Sequence, residues 1–511
     1  MNMLSSSRAS GILLHPTSLP GKYGIGDMGD GAFAFIDALS EGGQSLWQIL
    51  PLGPIGYGES PYSPFSTFAG EELLISPDRL SEWGLLDKTD TDNLPLFDDN
   101  RVDYDAVRAF KKPLLKKACD TFLKKIPSAL KRDWERFLER NADWLDDYAL
   151  FTALHEEFGN AAWNGEWDTD IMKKEPAAVR KWSLYLKNQI DRIKVIQFFF
   201  DFQWKAVKTY ANEKNIRIIG DVPIFVSPDS ADVWANRHLF LTDDNCRYTS
   251  VAGVPPDYFS PTGQRWGNPL YDWKAMENDG FRWWIARIRR TAELVDIIRI
   301  DHFRGLRAFW QIPSKEKTAE KGKWVKAPGE KLFAAVGRAL PHVEIIAEDL
   351  GLITEDVVAL RKKLHLPGMK ILQFAFEFNA EGEFNADNIF LPHNYETDAV
   401  VYTGTHDNDT TVGWYRSLSE PVRDLIRRYY GISGEDIAWD LIRSASSSRA
   451  RYSVFPMQDI LSLDSQARMN TPATVGNNWR WRLNPHADII NPMRRLRDLT
   501  YLYGRLPWVR K

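Results

Sequence analysis

An α/β fold of the (β/α)8 TIM-barrel type, carrying inserted and mainly helical subdomains, is what this sequence predicts. Three observations lead there. First, eight short apolar runs of β-branched character recur, at residues 11–15, 45–50, 216–223, 296–303, 344–350, 369–376, 399–407 and 451–460. Second, amphipathic stretches with helical spacing alternate with them: 31–41 after the first run, 281–294 before the fourth, 354–364 after the fifth and 420–430 after the seventh. Such alternation argues for βα units and parallel strands. Third, eight strands on 511 residues suit a closed barrel, with a doubly wound open sheet as the alternative.

Two intervals exceed a minimal barrel. More than 150 residues separate the second and third runs, far beyond an ordinary connection. Within that interval, 111–125, 131–159 and 176–212 carry charges at helical spacing. The expected organisation is therefore barrel over 1–66, a helical insertion over 67–205 and the rest of the barrel over 206–511. Residues 227–280, rich in Gly, Pro, Asp and Trp, are expected to form a large loop excursion after the third strand.

Composition narrows the function classes. With 65 Lys and Arg against 69 Asp and Glu, the net charge is −4, so the basic field of a nucleic-acid binder is absent. The two cysteines, Cys119 and Cys246, make no disulfide framework and suit a reducing compartment. Residues 1–10 lack the apolar core of a signal peptide. The apolar run at 195–204 contains Asp201 and Gln203 and is too short to span a bilayer. A soluble, cytoplasmic protein is expected. The 20 Trp, 18 Tyr and 27 Phe mostly serve a core, although aromatics beside Asp, Asn and Arg in loops also bind sugar rings.

The chemistry concentrates where apolar runs end. In Ile297-Ile-Arg-Ile-Asp-His-Phe-Arg-Gly305, strand alternation points Arg299 and Asp301 to one side. An arginine there favours the ionised carboxylate. By itself this pattern is equally a structural ion pair or a catalytic carboxylate. Three further runs also finish in acids, at Asp221, at Glu348 and Asp349, and at Asp407. Strand ends of a barrel converge on one face, and converging acids repel unless used or bound to a metal.

Glycosyl transfer assigns these acids separate roles. A retaining mechanism needs a nucleophilic carboxylate and, roughly 5–5.5 Å away, a second carboxyl that first donates and then accepts a proton. The donor must stay protonated near neutral pH, which suits Glu348 among ionised neighbours. Asp349 should face away and be structural. Asp407 could bind ring hydroxyls, and His302 and His406 could donate hydrogen bonds to them. A metal site using His15, Asp221, Glu348, His406 and Asp407 is the rival reading. It is disfavoured by the absence of H-x-H or H-E-x-x-H spacing and by the adjacent Arg299, so no metal and no cofactor is expected.

These blocks resemble the 4-α-glucanotransferases of the amylomaltase, or disproportionating-enzyme, family, relatives of the α-amylases. The resemblance spans nearly the whole chain. It is carried by Gly11-Ile-Leu-Leu-His-Pro-Thr-Ser-Leu-Pro20, Trp47-Gln-Ile-Leu-Pro-Leu-Gly-Pro54 and Gly56-Tyr-Gly-Glu-Ser-Pro-Tyr62. It continues through Gly220-Asp-Val-Pro-Ile-Phe225, Val251-Ala-Gly-Val-Pro-Pro-Asp-Tyr-Phe259 and Gly263-Gln-Arg-Trp-Gly-Asn-Pro269, with the blocks around Asp301, Glu348 and Asp407 completing it.

The resemblance implies Asp301 as nucleophile, Glu348 as general acid/base and Asp407 as transition-state stabiliser. It places Asp221, Arg299, His302 and His406 around the sugar at the cleavage point. Residues 251–269 would form a flexible loop over the cleft, with Tyr258, Phe259, Trp266 and Asn268 touching the glucan and Ser60, Tyr62 and Asn470 on the cleft walls. It further implies no C-terminal β-sandwich. The implied partners are an α-1,4-glucan donor and a glucose or glucan acceptor. The alternatives are an α-1,4-glucan hydrolase using the same acids and a non-catalytic glucan-binding protein.

Overall fold

The computed structural model describes residues 8–256, 260–378 and 382–507. Eight parallel strands form the central sheet: β1 (Ala9–Leu13), β2 (Leu46–Gln48), β3 (Arg217–Pro223), β4 (Ile297–Asp301), β5 (Glu344–Ala347), β6 (Gly368–Ile371), β7 (Ala399–Tyr402) and β8 (Tyr452–Pro456). Each falls within or overlaps one of the eight apolar runs. Their order is β6-β7-β8-β1-β2-β3-β4-β5. The strands are buried nearly throughout, as parallel strands covered on both faces must be. Gly11 is required by this closeness: a Cβ there would sit 2.1 Å from the Leu46 carbonyl oxygen.

The seam between β5 and β6 is closed partly by a side chain. Ala347 N donates to Pro367 O at 3.0 Å. Beyond it, Met369 N donates to Asp349 Oδ1 at 2.8 Å, while Arg361 Nε lies 3.0 Å from Asp349 Oδ2. Asp349 faces away from Glu348 and completes the barrel, in the structural role expected of it.

Between β2 and β3 the chain is helical, with major helices Tyr104–Lys124, Ser128–Arg140, Leu145–Glu157, Pro176–Tyr185 and Lys187–Glu213. The stretch 131–159 is two helices rather than one, because the first ends at Asn141, whose side chain folds back onto Phe137 O at 2.8 Å. Helix Lys187–Glu213 belongs to both layers. Its Phe198 packs on Phe122 and Trp134 of the insertion, at ring centroid distances of 5.7 and 5.4 Å. Further along, Trp204 meets Trp47 of β2 at 6.2 Å. Residue 205 therefore lies inside a continuous helix.

The expected loop at 227–280 is more ordered than its composition suggests. It contains helices Ala231–Ala235 and Trp273–Asn278 and strands Ser250–Val254 and Gln264–Pro269. These strands join Ala308–Pro313 and Lys323–Lys326, which follow β4, in a four-stranded antiparallel sheet. Local patterning could not reveal this, since Ser250 pairs with Pro313 across the whole of β4. After β8 come helices Met457–Ile460 and Ile490–Leu502 and, among the described residues, no further sheet. No described helix is long and apolar enough to cross a membrane.

Candidate active site

Register places the charged core of the site. Asp221 of β3 lies directly opposite Arg299 of β4, and alternation puts Asp301 on the same side as Arg299. Arg299 accordingly bridges two acids, with Nη1 2.5 Å from Asp221 Oδ2 and Nη2 3.0 Å from Asp301 Oδ1. Arg299 and Asp221 are buried, whereas the Asp301 side chain is 31% exposed. The ion pair seen in the sequence is real, and one of its acids still reaches solvent.

Among the described residues, Glu348, just past β5, takes its hydrogen bonds from backbone N–H groups. Its Oε2 accepts from His302 N at 2.6 Å and its Oε1 from Leu350 N at 2.7 Å. His302 has φ 52° and ψ 48°, a left-handed conformation rare for a residue with a side chain. That geometry occurs at the peptide joining Asp301 to the Glu348 contact. Burial, and then the charge of Asp301, push the Glu348 carboxyl up to about 8, against the opposing pull of Arg299 and the two N–H donors. The result is a carboxyl that keeps its proton at neutral pH beside a carboxylate paired with arginine.

Asp407 sits in the turn after β7 with its side chain about half exposed. Asn470 Nδ2 donates to its Oδ1 at 2.6 Å, and His406 Nε2 lies 3.5 Å from its Oδ2. Tyr62 links the two sides: its hydroxyl donates to Asp221 Oδ2 at 2.7 Å, and its ring stacks on His406 at 5.1 Å. Desolvation pushes His302 down to about 4, with Asp301 opposing, so its ring is neutral. Burial likewise pushes His15, next to His406, down to about 3. Asp221 Oδ1 and His406 Nδ1 have no hydrogen-bond partner among the described residues.

A cleft of about 770 Å³ opens beside these groups, and Glu348, Asp221 and Arg299 are not among the residues lining it. Asp301, Asp407, His302 and His406 line it, together with Ser60, Tyr62, Trp266, Asn268 and Asn470. Trp266 meets the His302 ring edge-on at 4.8 Å, and Asn268 is anchored on Val226 O at 2.9 Å. Asp221 and Arg299 lie behind the lining and reach it through Tyr62 and Asp301. Tyr258 and Phe259 lie outside the described residues. The expected loop 251–269 is in part a β-hairpin, because its arms pair through Val254 and Gln264. Among the described residues, no three His, Cys, Asp or Glu side chains are grouped to hold a metal ion.

Sequence reasoning missed part of the wall. Tyr57, 80% exposed at the rim, lies inside a quoted motif, and its neighbours Ser60 and Tyr62 were the available signal. Residues 472–475 and Trp479 form the facing wall. Trp479 packs near both Tyr62 and His406, at 5.8 and 6.0 Å. No strand end or acid marks that segment, so local pattern carried no signal for it.

Comparison with known proteins agrees with this geometry. A family model described as 4-alpha-glucanotransferase, glycoside hydrolase family 77, matches residues 14–488. A 4-alpha-glucanotransferase of Synechocystis is 50% identical over 504 residues, 98% of each chain. One from Thermus thermophilus is 48% identical over 486 residues, 94% of this chain and 95% of the relative. An amylomaltase from Streptococcus agalactiae, solved with acarbose, superposes with a TM-score of 0.93 at 39% identity, covering 98% of this chain and all of that one. On the strength of both the match and the site it spans, this chain belongs to the 4-alpha-glucanotransferase family, glycoside hydrolase family 77.

Proposed function

We propose that this protein transfers α-1,4-glucan segments from a malto-oligosaccharide or starch- or glycogen-type donor to glucose or another glucan, by retaining double displacement. Asp301 Oδ attacks the anomeric carbon while the Glu348 carboxyl protonates the departing glycosidic oxygen. The donor's reducing-end piece leaves with that proton, and the remaining segment is esterified to Asp301. An acceptor hydroxyl then gives its proton to the Glu348 carboxylate and attacks the same carbon. The Asp301 ester breaks, and the α-1,4 bond is remade with its configuration retained. Asp407, with His406 beside it, holds ring hydroxyls as positive charge develops.

The observation that carries this reading is the pairing of two unlike acids: a buried Glu348 with a raised pKa beside a solvent-reaching Asp301 clamped by Arg299. Tyr62, Asp221, Arg299 and His302 would position the sugar at the cleavage point, while Ser60, Trp266, Asn268, Asn470, Tyr258 and Phe259 would hold flanking units. The chemistry needs no cofactor. Division into a barrel with a helical insertion over 67–205 goes with this reading, as does a cytoplasmic setting, for which the free, buried Cys119 and Cys246 give support.

Pure maltotriose tests it. Transfer yields glucose plus maltopentaose and longer chains, whereas a hydrolase using the same acids yields only shorter sugars. Products no longer than the substrate would replace this reading with hydrolysis, and unchanged maltotriose would leave only a binding role.

A further inference from the structure

Asp407 is the one acid of the site held neither by a strand nor by burial. Its side chain is about half exposed, and the turn around it is fastened in part to itself, with Asn408 Oδ1 accepting from Thr405 N at 2.9 Å. The far end of the turn is held at Asp409, where Gln373 Nε2 donates to the main-chain oxygen at 2.9 Å and Ser465 Oγ to Oδ2 at 2.6 Å. At the Asp407 peptide itself the tie is Arg468, which follows β8. Arg468 Nη2 donates to the main-chain oxygen of Asp407 at 2.7 Å, and its Nε donates to the main-chain oxygen of Asn470, also at 2.7 Å. Asn470 in turn donates from Nδ2 to Asp407 Oδ1 at 2.6 Å.

The three residues close a ring: guanidinium to the Asp407 peptide, guanidinium to the Asn470 peptide, and Asn470 amide to the Asp407 carboxylate. A guanidinium is suited to this because its planar fork holds two acceptors at a fixed angle. Arg468 makes no ion pair among the described residues beyond which its charge would be spent, so its donors serve two backbone carbonyls. Neither the strand pattern nor the acids of the site mark it.

We propose that Arg468 is a positioning residue for glucan transfer: it holds the Asp407 and Asn470 peptides together so that the Asp407 carboxylate is fixed where charge develops on the sugar. This rests on the role given to Asp407 above. Without Arg468 the Asp407 peptide is free to shift against the Asn470 peptide, even though Ser465 still holds Asp409, and the Asn470–Asp407 bond loses its frame. A misplacement of about 1 Å at such a group costs on the order of 100-fold in rate. Ground-state glucan binding, spread over the whole cleft, is little affected.

The test is a double-mutant cycle on the full-length enzyme, following fluoride release from an α-maltosyl fluoride donor, whose leaving group needs no proton and so keeps slow variants measurable. Arg468→Ala is expected to lower kcat by about 100-fold, with KM within about 3-fold of the parent and Tm within a few degrees. Arg468→Lys, which can still reach one carbonyl, is expected to fall between the two, and it also serves if the alanine variant does not fold. In an Asp407→Asn background, Arg468→Ala is expected to cost less than about 2-fold more, because the two changes remove the same contribution. Losses that multiply, an unchanged kcat, or a loss carried by KM and Tm would overturn the proposal. A parental rate in Asp407→Asn itself would strike the role of Asp407 and this proposal with it. A slow Asp407→Asn with multiplying losses would strike Arg468 alone.

Discussion

The carboxyl of Glu348 accepts a 2.6 Å hydrogen bond from the backbone N–H of His302, the residue that follows Asp301 in the chain. Glu348 and Asp301, the acid/base and nucleophile proposed above, are thereby fixed to adjacent peptides, although they come from different strands. Their spacing is set by backbone, which moves far less than side chains do, and the left-handed turn at His302 is what aims that N–H at Glu348.

Replacement of Asp301 by alanine is expected to remove turnover, by on the order of 10⁴-fold, while glucan binding survives. Arg299 would keep its contact with Asp221 at 2.5 Å, so the barrel retains its buried pair and Tm is expected to change little. Initial rates on maltotriose, calorimetric glucan binding and a melting curve read the three quantities. Loss of folding would return Asp301 to a purely structural ion pair.

Activity should fall on the alkaline side as Glu348 loses its proton, with kcat/KM declining near the value of about 8 to which burial and Asp301 push it. The same shift has a stability consequence. A carboxyl raised in the folded state favours folding fully below its unfolded value, and that advantage is lost as pH rises toward 8. Glu348→Gln, which cannot ionise, should therefore gain stability relative to the parent between about pH 5 and pH 8. Melting curves at several pH values check this, and a constant difference between the two proteins would contradict the raised pKa.

Tyr62→Phe removes one hydroxyl and keeps the ring stacked on His406 at 5.1 Å. Asp221 Oδ2 then keeps Arg299 but loses the 2.7 Å bond from Tyr62, a hydrogen bond to a charged group worth about 1.5–3 kcal/mol, borne at the cleavage subsite. The expected outcome is a kcat/KM on maltotriose about 10-fold lower or more, with an unchanged product pattern. Parental kinetics would remove Tyr62 from the sugar-positioning set.

Trp266 stands over His302 at 4.8 Å and is 40% exposed on the cleft wall. A smaller side chain there opens the covalent intermediate to water, which competes with the acceptor. Trp266→Ala is expected to raise the ratio of hydrolysis to transfer, read as new reducing ends per glucose released from maltotriose. An unaltered ratio would exclude Trp266 from shielding the site.

Asp349 makes the opposite prediction from its neighbour. Its carboxylate caps Met369 N at 2.8 Å and pairs with Arg361 at 3.0 Å, closing the seam between β5 and β6. Asp349→Ala leaves the buried Arg361 guanidinium only Leu366 O at 3.0 Å and Glu396 at 3.8 Å and should destabilise the protein by about 3 kcal/mol, while the kcat of the folded fraction stays near the parent. Denaturant melts and active-site-normalised rates separate the two effects.

The chain's own pattern determined the eight strands, their α/β alternation, the helical character of the insertion and the four acids at strand ends, because periodicity and residue type are local properties. It also determined that Arg299 and Asp301 share a face, which follows from the two-residue repeat of a strand. Register between strands is not local, and only the tertiary structure decided that Arg299 lies across from Asp221 and shares its charge with both acids. The same holds for the second sheet, whose strands meet across β4. It holds as well for Trp479 and Arg468, which reach the site from a segment with no strand, no acid and no periodicity to mark it. The raised proton affinity of Glu348 is likewise tertiary: any glutamate can titrate near 4.3 in water, and what changes it here is burial beside Asp301.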